Sequence, residues 1–327
     1  MKHIRWTGIT RLLWTACLGA SAATAAYAQA DYPSAPITMV VPFAAGSGTD
    51  AVARVVAGKL GERLKQSVVV ENKAGANAQI AAAHVVKAKP DGYTLFMTTN
   101  TSHSANPWLV KGLKYDPITD FTPIARVGEL PFALLVHPSV PVKTVQELID
   151  YAKANPGKLS YGTPNSTSLV ASETLKFISK AQITAVPYKS SPQALTDLMG
   201  NQIQMYVADL GSAGGTMKTD RVRTLAVTAA KGSALLPGVP AIGKTLPGFD
   251  ITSWNGIFGP AGMPPAVVDR INTALQELLK DKAVQEQLAQ VGFEVWPTAT
   301  PAEFAAYVSE QKTRWGELIK QAGIEPQ

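Results

Sequence analysis

Hydrophobic and polar positions follow two alternating periods along most of this chain. Short runs of Val, Ile and Leu indicate buried strands, and apolar residues three or four positions apart indicate amphipathic helices. The helix expected from residue 49 places Val52, Val56 and Leu60 on one face. The first part of the chain therefore predicts a βαβαβ unit, with strands at 37–41, 68–70 and 93–97, a helix from 49 and a helix at 77–87.

Prolines and turns interrupt this pattern between residues 107 and 123. Strands resume at 124–127, where we place a passage into a second domain, and a strand at 224–228 is expected to return to the first. A strand at 254–258 and two helices end the chain. The second set is predicted to contain strands at 132–137, 159–161, 183–186 and 204–207, and helices at 144–154, 168–180 and 192–199.

Such alternation of strands and helices is typical of α/β architecture with parallel strands. A length of 327 residues suggests about two domains. With 46% hydrophobic and 17% charged residues, the chain can bury a sizeable core.

The first 28 residues have the composition of a secretory signal peptide (residues 1–28). Lys2, Arg5 and Arg11 precede an apolar stretch that begins at Leu12 and ends in Ala26-Tyr27-Ala28. We therefore expect export to the periplasm and cleavage after Ala28. A retained membrane anchor is the alternative, although the apolar stretch is short for a membrane span.

The net charge of +6 is less informative than it first looks. Lys2, Arg5 and Arg11 account for three of these charges, and no run of Lys or Arg follows them. Nucleic acid is therefore not expected as a partner. Cys17 is the single cysteine, so the mature chain would have no disulfide, cysteine nucleophile or cysteine-ligated metal. We expect no cofactor and no metal.

Two nucleotide-binding signatures occur, and neither has the required context. Residues 46–51 match G-x-G-x-x-A with Glu71 downstream, but four residues separate the strand from Gly46. Residues 238–245 match the P-loop expression, but no long strand precedes them and Pro247 prevents a following helix.

Hydrolytic catalysis has little support in the sequence. The chain contains no G-x-S-x-G elbow and no H-E-x-x-H helix. The mature part has three histidines, and His103 lies in the polar run 98–104 after a predicted strand. An exported enzyme that uses Asp50 or His103 as acid or base is the alternative, although neither has a visible partner to adjust its pKa.

Hydroxyl-rich and glycine-rich loops recur at the carboxyl ends of predicted strands. In open α/β sheets ligands bind outside these ends, and helix N-termini there favour anions. The alternative is that Thr49, Asn77 and Ser168 are N-caps and that Asp50 pairs with Arg54. The loops are residues 44–50, 98–104, 162–168 and 208–215.

Six ordered segments resemble the Bug family, the extracytoplasmic solute receptors of tripartite tricarboxylate transporters. The resemblance covers nearly the whole mature chain. The segments are residues 32–37 (YPSAPI) with 41–50 (VPFAAGSGTD), 70–76 (VENKAGA), 89–95 (KPDGYTL), 186–189 (VPYK) and 254–265 (WNGIFGPAGMPP).

The resemblance implies a two-lobed periplasmic binding protein fold, type II-like, with a mixed sheet flanked by helices in each lobe and a hinge between them. Lobe 1 would comprise residues 29–124 together with 226–327, and lobe 2 residues 125–225. The protein would be a monomeric, non-enzymatic receptor. It would bind a small carboxylate, such as an amino acid, a di- or tricarboxylate or an aromatic acid, and pass it to membrane components of the transporter. A ligand-sensing subunit of a signalling system is the other alternative.

The resemblance also implies that the ligand carboxylate lies between the first strand-to-helix loop and a helix N-terminus of the second lobe. Ser47 stands where a glycine is common in the family, and residues 163–168 lack the usual glycines. We expect Asp50 to select the ligand's substituent. The candidate ligand-binding residues are Phe43, Ala45, Gly46, Ser47, Thr49, Asp50, Thr98, Asn100, Thr163, Asn165, Ser166, Thr167, Ser168 and Asp209.

Overall fold

The computed structural model describes residues 32–327. The predicted signal peptide and its cleavage site lie outside these residues. The described residues form two mixed sheets with helices packed against them, so the predicted α/β architecture is confirmed. The strands are β1 (Ile37–Val41), β2 (Val68–Asn72), β3 (Thr94–Thr99), β4 (Phe121–Leu130), β5 (Phe132–Val136), β6 (Leu159–Thr163), β7 (Ile183–Pro187), β8 (Met205–Asp209), β9 (Arg223–Val227), β10 (Ser253–Pro260) and β11 (Glu294–Val295).

The two sheets have the same arrangement of strands, except that the first has a sixth strand, β11, at its edge. The first sheet runs β2-β1-β3-β10-β4-β11, with β1, β2 and β3 parallel and β10 antiparallel to both β3 and β4. The second runs β7-β6-β8-β5-β9, with β6 parallel to β7 and β8, and β5 antiparallel to β8 and β9. Strand β10 follows the passage from the second sheet, and β5 follows the passage from the first. Each is the antiparallel strand that lies beside the parallel strands of its sheet.

Helices cover the sheets, and α1 buries the predicted face of Val52, Val56 and Leu60. Short hydroxyl-bearing N-caps begin several of them, as at Thr144, Ser190 and Thr300. The helices are α1 (Gly48–Leu64), α2 (Gln79–Val86), α3 (Asn106–Leu109), α4 (Val145–Ala154), α5 (Ser166–Ser179), α6 (Ser191–Met199), α7 (Leu210–Ala213), α8 (Pro265–Lys280), α9 (Lys282–Gln290) and α10 (Pro301–Gln321).

Two strands near the passages lie in other sheets than the sequence indicated. Strand β4 continues to Leu130 and pairs with β10 in the first sheet, where Ala125 lies opposite Ile257. Strand β9 does not return to the first sheet, because Ala226 pairs with Leu134 of β5. Residues 125–130 thus lie with the first sheet and residues 226–227 with the second, opposite to the lobes assigned from sequence. Chain passages follow β4 at Pro131 and β9 near Thr228.

Three helix starts also differ from expectation. Helix α2 begins at Gln79 rather than at Asn77, because residues 76–78 have positive φ angles of 44°, 50° and 71°. Helix α5 begins two residues before Ser168, and α1 begins before Thr49. Asn77, Ser168 and Thr49 are therefore not N-caps.

The P-loop-like segment forms no nucleotide site of the usual kind. Its only helical part is the single turn Ile242–Lys244, which leads directly to Leu246 and Pro247. Within residues 32–327, no helix has both the length and the hydrophobicity that a membrane crossing requires.

Candidate functional site

A narrow cleft with about 20 Å³ of free space lies where strand ends of the two sheets meet. This space holds about one water molecule, so the two walls are nearly closed against each other. Among residues 32–327, Asp209 is the one ionisable side chain that lines the cleft, and most other polar lining groups are hydroxyls. The lining residues are Phe43, Ser47, Gly48, Thr49, Thr99, Thr101, Leu130, Phe132, Asn165, Thr167, Ser191, Asp209 and Ser253.

The first wall of the cleft is the N-terminus of α1. Ser47 caps this helix by accepting a hydrogen bond of 3.2 Å from the Asp50 amide. The amides of Gly48 and Thr49 come next, and such first-turn amides have no acceptor within their own helix. Because both residues line the cleft, this helix end can donate to an anion.

Asp50 lies behind this loop and does not line the cleft. Its carboxylate accepts from the Gly46 amide at 3.0 Å, from Asn72 at 2.9 Å and from Arg54 at 3.1 Å. The predicted pair with Arg54 is therefore present. Burial opposes ionisation, but the hydrogen bonds from Arg54, Asn72 and Gly46 outweigh it, so the pKa of Asp50 is lowered. Asp50 holds the loop in shape.

The opposite wall is the N-terminus of α5. Asn165 caps the helix by accepting a 2.9 Å hydrogen bond from the Ser168 amide, and Asn165 and Thr167 line the cleft. Ser168 instead donates its hydroxyl to the Val207 carbonyl at 2.7 Å, so it faces the sheet. Ser191, the first residue of α6, adds a third helix start to the lining.

Direct hydrogen bonds cross between the two walls beside the cleft. Asn100 donates to Thr167 at 3.0 Å, and the hydroxyls of Thr101 and Ser166 are 2.8 Å apart. Asn100 also accepts from Ser253 at 2.7 Å. These contacts bring the end of β3 against the start of α5.

Asp209 comes from the end of β8 and caps α7. Its Oδ1 accepts from the Ser212 amide at 2.7 Å, and the residue is 2% exposed. Burial raises the pKa of Asp209, although hydrogen bonds from Ser212 and Ser191 oppose that shift. A Cβ at Gly48 would collide with this carboxylate, so the two walls meet closely only because residue 48 is glycine.

The fourteen predicted site residues divide into three groups. Asn100 and Ser166 join the walls. Six others lie away from the cleft lining: Ala45, Gly46, Asp50, Thr98, Thr163 and Ser168. Six line the cleft: Phe43, Ser47, Thr49, Asn165, Thr167 and Asp209. Contact of any of them with a ligand stays a prediction.

Sequence reasoning missed several lining residues for a topological reason. Ser253 begins β10 and Phe132 begins β5, and both strands are antiparallel to the strands beside them. The first residues of these two strands therefore lie beside the carboxyl ends of the parallel strands, where the sequence predicted the ligand. Ser191 and Pro192 begin α6, and because proline is favoured in the first turn of a helix, this pair could have indicated a helix start at Ser191.

His103 is buried in an aromatic cluster rather than in the cleft. Its ring stacks on Phe258 with centroids 3.9 Å apart, and its Nδ1 lies 2.8 Å from the Ser102 hydroxyl. Burial lowers the pKa of His103 to about 3, so the ring is neutral near pH 7. Within residues 32–327, no group of three His, Cys, Asp or Glu residues could hold a metal ion.

Comparisons with known proteins agree with this geometry. The family model described as tripartite tricarboxylate transporter family receptor matches residues 52–324. A UPF0065 protein of Bordetella bronchiseptica is 35% identical over 322 residues, which cover 98% of this chain and 95% of that protein.

Two solved structures resemble the chain over most of its length. R. palustris Rpa4515, solved with adipate, has a TM-score of 0.88 and 34% identity and covers 90% of this chain and 100% of its own. The periplasmic binding protein BugD has a TM-score of 0.85 and 34% identity, with coverage of 90% and 100%. The fold is thus that of a periplasmic binding protein, as predicted.

The chain belongs to the tripartite tricarboxylate transporter receptor family. The resemblance to Bug proteins and the expected solute-binding function are confirmed. Its relatives in sequence family and structure are binding proteins, and BugD is periplasmic.

Proposed function

We propose that this protein captures a small carboxylate in the cleft between its two sheets and presents it to membrane components of a tripartite tricarboxylate transporter. The carboxylate class is supported by the adipate in the related Rpa4515 structure. The ligand-binding residues are those of the predicted set that line the cleft, together with Gly48, Thr101, Ser191 and Ser253.

One observation carries this proposal: helix starts from both sheets face one cleft that is rich in neutral donors. Gly48 and Thr49 begin α1, and Asn165 and Thr167 begin α5. The positive ends of two helix dipoles attract an anion without a basic side chain or a metal. Small organic carboxylates have the charge and the acceptor oxygens that such an arrangement binds.

We assign one lobe to each sheet, with passages at Pro131 and near Thr228 acting as the hinge. The bonds from Asn100 to Thr167 and from Thr101 to Ser166 would break when the lobes separate. A few residues at the ends of elements can absorb such a rotation. The protein works as a monomer in this proposal, since one chain supplies both walls.

Catalysis is not part of the proposed function. Asp50 is fully engaged by Arg54, Asn72 and the Gly46 amide, and His103 lies within an aromatic cluster. Neither is placed to exchange protons with a ligand in the cleft. A carboxylate that binds stoichiometrically and is recovered unchanged supports reception, whereas turnover would support the enzyme alternative.

Calorimetric titration with a panel of mono-, di- and tricarboxylates tests the proposal. The variant Thr167→Val removes one hydroxyl from the cleft at nearly constant volume, and we expect it to weaken binding by about tenfold. Thr184→Val, at an exposed position of β7, is the matched control and should bind as the wild type does. A panel without any binder, or equal affinity in Thr167→Val, would contradict the proposal.

Export is proposed from the sequence of residues 1–28. Intact-mass measurement of periplasmic protein should give a mature chain that begins at Gln29. A chain that retains Met1, or one lipidated at Cys17, would refute this cleavage.

A further inference from the structure

Asp209 places a buried carboxyl group in the cleft, and ionisation of that group would put a negative charge there. Among the described residues that line the cleft, no Lys, Arg or His side chain stands there to balance it. The residue is 2% exposed, and Oδ1 accepts from the Ser212 amide at 2.7 Å. A carboxylate can accept about four hydrogen bonds. Asp209 can therefore accept further bonds from a molecule in the cleft.

The carboxylate of Asp209 lies directly beside the start of α1. Of the atoms around Gly48, its Oδ1 would be the nearest to a Cβ placed on that residue. The amides of Gly48 and Thr49 are the groups proposed to hold the ligand carboxylate. The ligand carbon next to that carboxylate would consequently lie close to Asp209.

A second negative group on that carbon would meet Asp209 where water is largely excluded. Like charges at such a distance repel strongly in a poorly hydrated site. A hydroxyl or ammonium group on the same carbon would instead donate to Asp209. Burial raises the pKa of this carboxyl and so favours its neutral form, whereas a hydroxyl or ammonium group that donates to it would stabilise the carboxylate.

We propose that Asp209 makes the cleft select carboxylates with a hydrogen-bond donor, hydroxyl or ammonium, on the carbon next to the bound carboxylate. The inference rests on the proposed function, because it assumes that a carboxylate occupies the start of α1. The sequence suggested that Asp50 selects the substituent of the ligand, and the inference assigns this role to Asp209 instead. Asp50 cannot fill that role, since Arg54, Asn72 and the Gly46 amide already occupy its oxygens.

The variant Asp209→Asn tests the inference without removing the helix cap. Asparagine caps helices about as well as aspartate and has nearly the same shape. It removes the negative charge and adds a donor. The variant should melt no lower than the wild type, because a buried carboxylate has been neutralised.

Calorimetry on three matched sets of acids provides the measurement. Each set contains an unsubstituted acid, its 2-hydroxy form and its 2-amino form, so that hydroxyl and ammonium donors are compared separately. The sets are propionate, lactate and alanine; succinate, malate and aspartate; and adipate, 2-hydroxyadipate and 2-aminoadipate.

In any set that binds the wild type, we expect at least one donor-bearing acid to bind about tenfold more tightly than the unsubstituted acid. In Asp209→Asn this ratio should fall to about threefold or less, mainly because the unsubstituted acid gains affinity. Asp197→Asn, whose carboxylate accepts from Tyr188 away from the cleft, is the matched control and should keep the wild-type ratio.

The outcomes separate the inference from the proposed function. If acids bind but Asp209→Asn keeps the wild-type ratio, or if the unsubstituted acid binds the wild type most tightly, the role of Asp209 is wrong and carboxylate binding stands. If no acid in any set binds, the inference is overturned, and the proposed function falls with it only if the panel of mono-, di- and tricarboxylates gives no binder either.

Discussion

Glu129 and Lys231 form an ion pair of 2.7 Å that joins the two chain passages between the sheets. Glu129 precedes the passage at Pro131, and Lys231 follows the passage near Thr228. The other carboxylate oxygen of Glu129 binds Arg126 at 2.9 Å. The Arg126 guanidinium in turn lies 4.1 Å from the ring centre of Tyr307. The charges beside the proposed hinge therefore form one connected group.

Glu129→Gln should destabilise the protein by about 3 kcal/mol, because it leaves the buried Arg126 without its counter-charge. The free energy of unfolding in urea measures this effect. Glu277→Gln is the matched control, since its pair with Arg63 is exposed, and it should cost less than about 1 kcal/mol. Equal losses in the two variants would contradict a special role for the Glu129 group.

Gly48→Ala should reduce ligand affinity by about tenfold or more, because its Cβ would collide with Asp209 and lie 2.8 Å from Leu130. The two walls could then no longer approach fully. Scattering in the presence of ligand should show a larger radius for this variant than for the wild type.

Gly58→Ala in the same helix is the control for helix propensity. Within residues 32–327, a Cβ at this position would lie within 4 Å of no atom apart from its chain neighbours and the backbone of its own helix. The change should stabilise the protein by about 0.5–1 kcal/mol and leave affinity unchanged. If both glycine variants bind the ligand normally, the close approach at Gly48 is not needed for binding.

The hydroxyl pair of Thr101 and Ser166 should contribute to stability even without a ligand. A double-mutant cycle with Thr101→Val and Ser166→Ala should give a coupling energy of about 1 kcal/mol in unfolding experiments. Additive effects of the two substitutions would show that the walls do not touch in the free protein.

The buried His103 should make the protein less stable in mild acid. Its pKa is about 3 in the folded protein, against 6.5 for an ordinary histidine, because burial disfavours the charged ring. Below pH 6.5 the unfolded chain binds more protons than the folded one, so stability falls as pH falls. This effect amounts to about 2 kcal/mol between pH 6.5 and 5.

His103→Asn should remove that part of the acid sensitivity. The relevant measurement is the change in unfolding free energy between pH 7 and 5, compared with the change in the wild type. The absolute stability at pH 7 is not the test, since the variant also loses ring packing on Phe258. A variant as acid-sensitive as the wild type would place the titrating group elsewhere.

The periodic segments of the chain predicted most of the fold. Helix α1 and the parallel strands β1, β2 and β3 depend on local patterns of buried side chains, which a sequence displays directly. The sheet to which a strand belongs depends on distant pairing partners. Strand β9 therefore formed as expected but in the second sheet, opposite Leu134 and its neighbours.

The candidate site was only partly predictable for similar reasons. Loops after parallel strands drew attention to Thr49, Asn165 and Asp209. A side chain's direction, however, is decided by packing, so Ser168 turned to the sheet and Asp50 to Arg54. Ser253 could not be found without knowing that β10 runs antiparallel to β3.

Strand β10 has a consequence for the order in which the chain folds during synthesis. The five strands of the second sheet are contiguous in sequence, from Phe132 to Val227. The first sheet lacks the strand between β3 and β4 until residues 253–260 have been made. A nascent or truncated chain that ends before Ser253 consequently leaves β3 and β4 with open edges, which are prone to pair with other chains. The half of the molecule that is begun first is therefore the half that is completed last.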